Sequence, residues 1–140
     1  MTTIFASHAL LPDGWAADVR ITVTDGSIAT VSAGAAAEAD DLVVPALLPA
    51  LCNLHSHSFQ RAMAGMTEYR AAGRDSFWTW RELMYRFVDR LTPEQIEAIA
   101  ALVFMEMQEA GFAAVGEFHY LHHAPGGARY DDPAELSARI

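Results

Sequence analysis

Val43-Val44-Pro45-Ala46-Leu47-Leu48-Pro49-Ala50-Leu51-Cys52-Asn53-Leu54-His55-Ser56-His57 decides how this chain is read. A continuous apolar run ends in two histidines one residue apart. In a strand, residues i and i+2 point to the same face. Two neutral imidazoles so placed, about 6–7 Å apart at the backbone, can converge on one metal ion at roughly 2.0–2.1 Å. The unbroken apolar stretch predicts a short strand buried on both faces, as in a parallel sheet. A buried strand ending in His-x-His is then half of a metal site, and the other half must come from elsewhere. The plain alternative is a chance pair, one member a hydrogen-bonded core residue. Placement at the C-terminal end of a strand favours the metal, because barrel active sites sit there.

Upstream of this run, residues 4–48 read as a small β unit. Asp18-Val19-Arg20-Ile21-Thr22-Val23-Thr24 alternates as a half-buried strand does. Asp25-Gly26 reads as a tight hairpin turn, with Ile28-Ala29-Thr30-Val31 returning. Leu42-Val43-Val44 predicts a further short strand, and a second short strand and turn fall near Ala9 to Gly14.

Downstream, residues 61–74 read as a long loop holding Gly65 and Gly73, a kind of segment that is usually functional inside a compact domain. Ser76 to Leu91 carries Phe77, Trp80, Met84 and Leu91 at helical spacing. Thr92-Pro93-Glu94-Gln95 predicts the start of a second helix, with Thr92 as N-cap, Pro93 in the first turn and Gln95 completing a capping box. Its apolar stripe holds Ile96, Ile99, Ala100, Val103 and Met107, and Gly111 is its stop. Phe112 to Phe118 predicts the next buried strand, and Asp131-Asp132-Pro133-Ala134-Glu135 the start of a third helix.

The expected class is α/β: a small N-terminal β-sandwich-type unit over residues 1–48, then the first β/α units of a TIM-like barrel over 49–140. The charge balance narrows function. Nine Arg against eighteen Asp plus Glu give a net charge of −9. Nucleic acid and anionic membrane surfaces are therefore poor partners, and an anionic substrate needs locally placed Arg. One cysteine, Cys52, excludes an internal disulfide framework and fits a reducing, cytoplasmic compartment. Cys52 itself reads as a small buried residue. The N-terminus lacks the pattern of a signal peptide, and no run is long and apolar enough for a transmembrane helix.

Several residues carry chemistry on either of two readings. Gln60 and Arg61 follow the histidine pair at the strand's mouth; they are either site residues or a solvated loop. Arg81, in Phe77-Trp78-Thr79-Trp80-Arg81-Glu82, is a salt bridge to Glu82 or Glu117, a stack on Trp, or a bidentate clamp for a substrate carboxylate. His119, His122 and His123 follow the second buried strand and are more readily solvated or supporting residues than a second metal site; Tyr120 among them suits a hydrogen bond to substrate. Glu106 and Glu109 read as helix-surface charges.

Pro49-Ala50-Leu51-Cys52-Asn53-Leu54-His55-Ser56-His57 resembles the first-strand metal motif of the amidohydrolase superfamily. Phe59-Gln60-Arg61-Ala62-Met63-Ala64-Gly65 and Asp75-Ser76-Phe77-Trp78-Thr79-Trp80-Arg81-Glu82-Leu83-Met84-Tyr85 are similar to the formimidoylglutamate deiminase family, as is Glu117-Phe118-His119-Tyr120. The resemblance implies that His55 and His57 are zinc ligands, with Fe2+ or another divalent metal also compatible. It implies substrate contacts from Gln60, Arg81 and Tyr120, with Arg81 on a carboxylate. The implied reaction is hydrolysis of N-formimino-L-glutamate to N-formyl-L-glutamate and ammonia in histidine degradation, by zinc-assisted attack of water and protonation of the leaving nitrogen by an acid/base histidine. A cytoplasmic homodimer is the expected assembly of the full-length protein.

Ala50 and Cys52 depart from the Gly and Pro usual near this motif, which can shift the strand slightly. The chain stops at Ile140, whereas a (β/α)8 barrel takes about 250 residues. The further ligands and the acid/base histidine implied by the family belong to later strands, so no catalytic residue is assignable and the 140-residue chain alone is expected to be inactive. Two other readings remain. One is a deaminase of the same superfamily acting on guanine, cytosine or a triazine, although a neutral heterocycle needs no carboxylate clamp. The other is a non-catalytic chain that folds only on association, since two barrel strands alone leave exposed edges.

Overall fold

The computed structural model describes residues 1–68 and 76–140. Gly73 and Asp75, and with them part of the long loop expected over 61–74, lie outside the described residues. The chain falls into two compact units, Met1–Ala50 and Leu51–Ile140.

The first unit is a four-stranded sheet of β1 (Thr2–Leu11), β2 (Gly14–Thr24), β3 (Ser27–Ser32) and β4 (Leu42–Leu47), in the order β3-β2-β1-β4. The expected short strand near Ala9 is instead the end of a ten-residue strand that pairs antiparallel with β2 from Thr2↔Val23 to Leu11↔Gly14. Asp25 and Gly26 both have positive φ, 51° and 77°, the signature of a type I′ hairpin turn that matches strand twist. β4 joins β1 in parallel, Ile4↔Leu42 to Ala9↔Leu47, and Pro45 sits on it at the sheet's edge, where a missing N–H is tolerated. Ala6, Ala9, Val19 and Ile21 form the buried face, packed by Leu11, Val44 and Leu47. The unit is one sheet layer rather than two. Arg20 ties it to the loop before β4, donating to both carboxylate oxygens of Asp41 and to Glu38 at 2.7–3.2 Å.

The second unit is a β-α-α-β arrangement. β5 (Leu51–Ser56) and β6 (Phe112–Glu117) pair in parallel, from Leu51↔Phe112 to Ser56↔Glu117. The apolar run thus divides at Leu48 to Ala50 between two strands of different units. α1 (Phe77–Val88) starts at Ser76, whose hydroxyl accepts from Thr79 N–H while Thr79 Oγ1 accepts from Ser76 N–H. It ends three residues short of Leu91. Thr92 must be extended, both as a cap and because it precedes proline, so the helix cannot run on. α2 (Pro93–Glu109) begins with the expected Thr92/Gln95 capping box and stops before Gly111, φ +89°. Gly111 carbonyl then accepts from Leu51 N–H at 2.9 Å, launching β5 beside β6.

The core of this unit is Phe59, Met63, Met84, Leu91, Ile96, Leu121 and Leu136. Ile96, Ala100 and Val103 recur at i, i+4 and i+7 and face inward; full burial of a side chain such as Ile96 stabilises by about 1.5–3 kcal/mol. α3 (Glu135–Arg139) is tied to α2 by Arg139, which reaches Glu97 at 2.9 Å. The strand expected to be buried on both faces is not: Leu51 is 56% and Leu54 85% exposed, and Cys52 is exposed rather than buried. Burial on both faces needs a layer on each side, and among the described residues this two-stranded sheet has none over Leu51, Cys52 and Leu54.

Candidate metal and substrate site

His55 stands in β5, and His57 is the first residue beyond it, leading into a 3₁₀ helix over Ser58–Met63. Their side chains share a face, as the i, i+2 spacing requires, and the Nε2 atoms are 3.1 Å apart. An ion about 2.0–2.1 Å from both would see them at roughly 100°, close to a tetrahedral angle.

The protonation pattern suits such an ion. His57 Nδ1 lies 2.8 Å from the Phe118 carbonyl oxygen. That oxygen can only accept, which assigns the proton to Nδ1 and leaves the Nε2 lone pair of a neutral ring free. A metal-bound histidine is typically held in this way through its other nitrogen. The donor set fits zinc: two neutral imidazoles on one face, with the tautomer of one fixed by a backbone oxygen. Among the described residues no third His, Cys, Asp or Glu joins them.

The surroundings hold both histidines in place. His55 N–H donates to Asn53 Oδ1 at 3.1 Å, and Asn53 Nδ2 reaches Met107 Sδ on α2 at 3.6 Å. Phe118 N–H donates to Ser56 carbonyl at 2.9 Å. Ser58 donates to Glu117 Oε1 from its backbone N–H at 2.7 Å and from its hydroxyl at 2.9 Å.

Gln60 and Tyr120 come together beside this pair. Gln60 Nε2 donates to Tyr120 Oη at 2.9 Å, and the Tyr120 hydroxyl points to Met84 Sδ at 3.3 Å. The Tyr120 ring packs edge-on to His57, centroids 5.1 Å apart. Thus His55, His57, Gln60 and Tyr120 form one cluster. Among the described residues Arg81 makes no hydrogen bond to that cluster. It donates to Tyr85 Oη at 3.1 Å and stacks over the Trp78 and Tyr85 rings at 5.7 and 5.1 Å. Among the described residues it makes no ion pair, so neither expected partner, Glu82 nor Glu117, holds it. Arg81 lies one helical turn before Met84, whose sulfur is the far end of the Gln60–Tyr120 chain.

Arg61 instead grips Glu106 with two hydrogen bonds of 2.8 Å. Hydrogen bonding to Glu106 raises the Arg61 pKa, and the same bond lowers that of Glu106. This pair pins the 3₁₀ helix to α2. His119 packs edge-on to His122, and its Nδ1 is buried without a partner among the described residues. Burial, then the nearby His122, pushes the His119 pKa down, while Glu117 opposes them. His123 forms a backbone bridge to Arg129. An open cleft of about 470 Å3 lies beside Tyr120, bordered by Tyr85, Arg86, Asp89, His122 and His123.

Asn53, Met84 and Glu117 had no site role in the sequence reading. Asn53 was findable, because an Asn side chain readily accepts from the backbone N–H two residues on, here that of His55. Met84 and Glu117 act across the fold and carried no local signal.

Residues 1–43 match the family described as formimidoylglutamate deiminase HutF, N-terminal domain. A formimidoylglutamate deiminase of Pseudomonas aeruginosa is 55% identical over all of this chain, which covers 31% of that protein. The chain resembles formimidoylglutamate deiminase from end to end. It spans about a third of the length of this curated relative. An amidohydrolase from Brucella melitensis superposes with a TM-score of 0.92 at 48% identity, over 100% of this chain and 31% of that one. A mutant atrazine chlorohydrolase from Arthrobacter aurescens, complexed with zinc and atraton, shares the fold: TM-score 0.70 and 18% identity, over 100% of this chain and 32% of that one. The likeness to formimidoylglutamate deiminase therefore covers the β unit and the histidine strand together.

Proposed function

We propose that this chain is the N-terminal part of a zinc-dependent deiminase that hydrolyses the C=N bond of N-formimino-L-glutamate, yielding N-formyl-L-glutamate and ammonia. The observation that supports this most directly is the convergence of His55 and His57 Nε2 at 3.1 Å, with His57 held as the Nδ1–H tautomer. His55 and His57 hold the metal. Zinc supplies Lewis acidity that makes water nucleophilic near neutral pH; iron suits imidazole as well.

The chain's own residues bind and orient. Gln60 and Tyr120 present an amide and a hydroxyl beside the histidines, able to hydrogen-bond a polar substrate next to the metal. Arg81 carries a guanidinium stacked on aromatic rings and without a carboxylate partner among the described residues. It closes on a substrate carboxylate through paired N–H donors. The remaining ligands and the acid/base group belong to further sequence of the same enzyme, which completes a (β/α)8 barrel. The enzyme is a cytoplasmic homodimer, with no nucleic acid or membrane partner.

The test is ammonia release by the full-length protein carrying this sequence, with zinc content read in parallel and formiminoglutamate compared with guanine, cytosine and a triazine. Turnover confined to formiminoglutamate, and reduced at least tenfold in kcat/KM by Arg81→Met, is expected. Preference for a heterocycle, or indifference to Arg81→Met, would overturn the assignment in favour of another amidohydrolase-type deaminase.

A further inference from the structure

We propose that Glu117 is a positioning residue for the metal motif: its carboxylate, at the end of β6, fixes the backbone just after His57 and thereby holds His57 in the tautomer that faces a metal with Nε2. The inference rests on the metal reading of His55 and His57 and adds a residue to it.

Three consecutive residues of the histidine segment are bonded to two consecutive residues of β6 and its exit. Ser56 carbonyl accepts from Phe118 N–H at 2.9 Å. His57 Nδ1–H donates to Phe118 carbonyl at 2.8 Å. Ser58 donates twice to Glu117 Oε1, at 2.7 and 2.9 Å. The first is the last rung of a parallel ladder whose register pairs Ser56 with Glu117. The chain leaves the strand conformation at His57, φ −134° and ψ 79°, so the ladder itself cannot hold residue 58. Glu117 supplies the missing bond. Ser56 and Ser58, which flank His57, are both buried, at 7% and 2% exposure. Glu117 therefore acts on the buried side of this segment, through Ser58.

A carboxylate in that position is costly unless its oxygens are bonded. Oε1 is satisfied twice. Among the described residues Oε2 is buried with no partner, and so is Nδ1 of His119, two residues along the same segment. Glu117 and His119 are near enough to interact electrostatically. Glu117 is half-buried, and the two donors of Ser58 account for its carboxylate there. An amide reproduces that acceptor; a methyl group does not.

The test uses the full-length protein carrying this sequence and its Glu117→Gln, Glu117→Ala and Ser58→Ala variants. Imidazole 15N shifts report the His57 tautomer without metal, and zinc competition reports affinity. Wild-type His57 is expected as the Nδ1–H tautomer. Glu117→Ala is expected to mix the tautomers and to weaken zinc about 10–100-fold, as loss of outer-shell support does. Glu117→Gln should restore both, and Ser58→Ala should fall between. A merely structural glutamate would lower stability while leaving the tautomer untouched, and that result overturns the proposal. So does an Nε2–H tautomer in the wild type, whether or not Glu117→Ala folds. Absence of zinc binding by wild type with the tautomer shift intact would count against the metal reading while leaving the positioning role standing.

Discussion

His57 Nδ1 and the Phe118 carbonyl oxygen are 2.8 Å apart, and this bond is the one by which a histidine side chain of the motif meets the end of β6. It converts a sequence pattern into a ligand with a defined lone pair. The histidine alone has two tautomers of similar energy; a carbonyl that can only accept selects between them.

Removing either ring should therefore abolish metal retention. His55→Ala and His57→Ala are each expected to weaken zinc by more than the roughly 10–100-fold typical of outer-shell changes. His123→Ala, outside the cluster, should leave it unchanged. Metal content after dialysis against a weak chelator checks this, and equal retention by all three variants would contradict the site.

Tyr120→Phe keeps the ring against His57 and Phe59 but removes the acceptor for Gln60 Nε2. In the full-length protein KM for formiminoglutamate should rise about tenfold, the scale of one lost hydrogen bond to a charged partner. Zinc content should stay the same. A metal-depleted Tyr120→Phe would mean that the hydroxyl serves the metal and not the substrate.

Stability of the second unit should depend on α2. Ile96, 1% exposed, sits in its core, so Ile96→Ala should cost about 2–5 kcal/mol. Thr92→Ala removes the cap on Gln95 N–H and should cost about 1 kcal/mol. Urea midpoints at constant m separate the two; a larger loss from the cap than from the core would mean that the helix is held by its end.

His119 is expected to make the second unit acid-sensitive. Its folded pKa is lowered by burial and by His122, so the unfolded chain binds the proton more readily. Stability is then fully present above the unfolded value near 6.5 and is lost as pH falls through the lower folded value. Unfolding followed from pH 7.5 to 5 should show this decline, and His119→Gln should flatten it. An unchanged profile in the variant would assign the decline to other groups.

In the first unit, Asp41 has its pKa lowered, first by the hydrogen bonds from Arg20 and then by the Glu38 backbone N–H. Its contribution is present above the usual carboxylate range and is lost as pH falls through the depressed value. Asp41→Asn should remove that acid-side dependence, read by circular dichroism between pH 5 and 2.

Local patterns were legible because they are local physics. Thr92-Pro93-Glu94-Gln95 started a helix as expected, since a cap and a proline act within one turn. Asp25-Gly26 made its hairpin because few residues accept two successive positive φ angles. The i, i+2 spacing put His55 and His57 on one face without reference to anything else. The burial of Leu51, Leu54 and Cys52 was misread, because apolar composition states a preference and only neighbouring layers satisfy it.

Sequence by itself determined the helices, the hairpin, the shared face of the two histidines and the likeness to a family of deiminases. Tertiary structure alone decided that Glu117 bonds Ser58, that Phe118 sets the tautomer of His57, that Tyr120 meets Gln60 across sixty residues, and that Arg61 belongs to Glu106. These are contacts between β5, β6 and the helices that join them. Their partners are distant in sequence, and it is the register of a parallel strand pair, set by packing, that brings them within hydrogen-bonding distance.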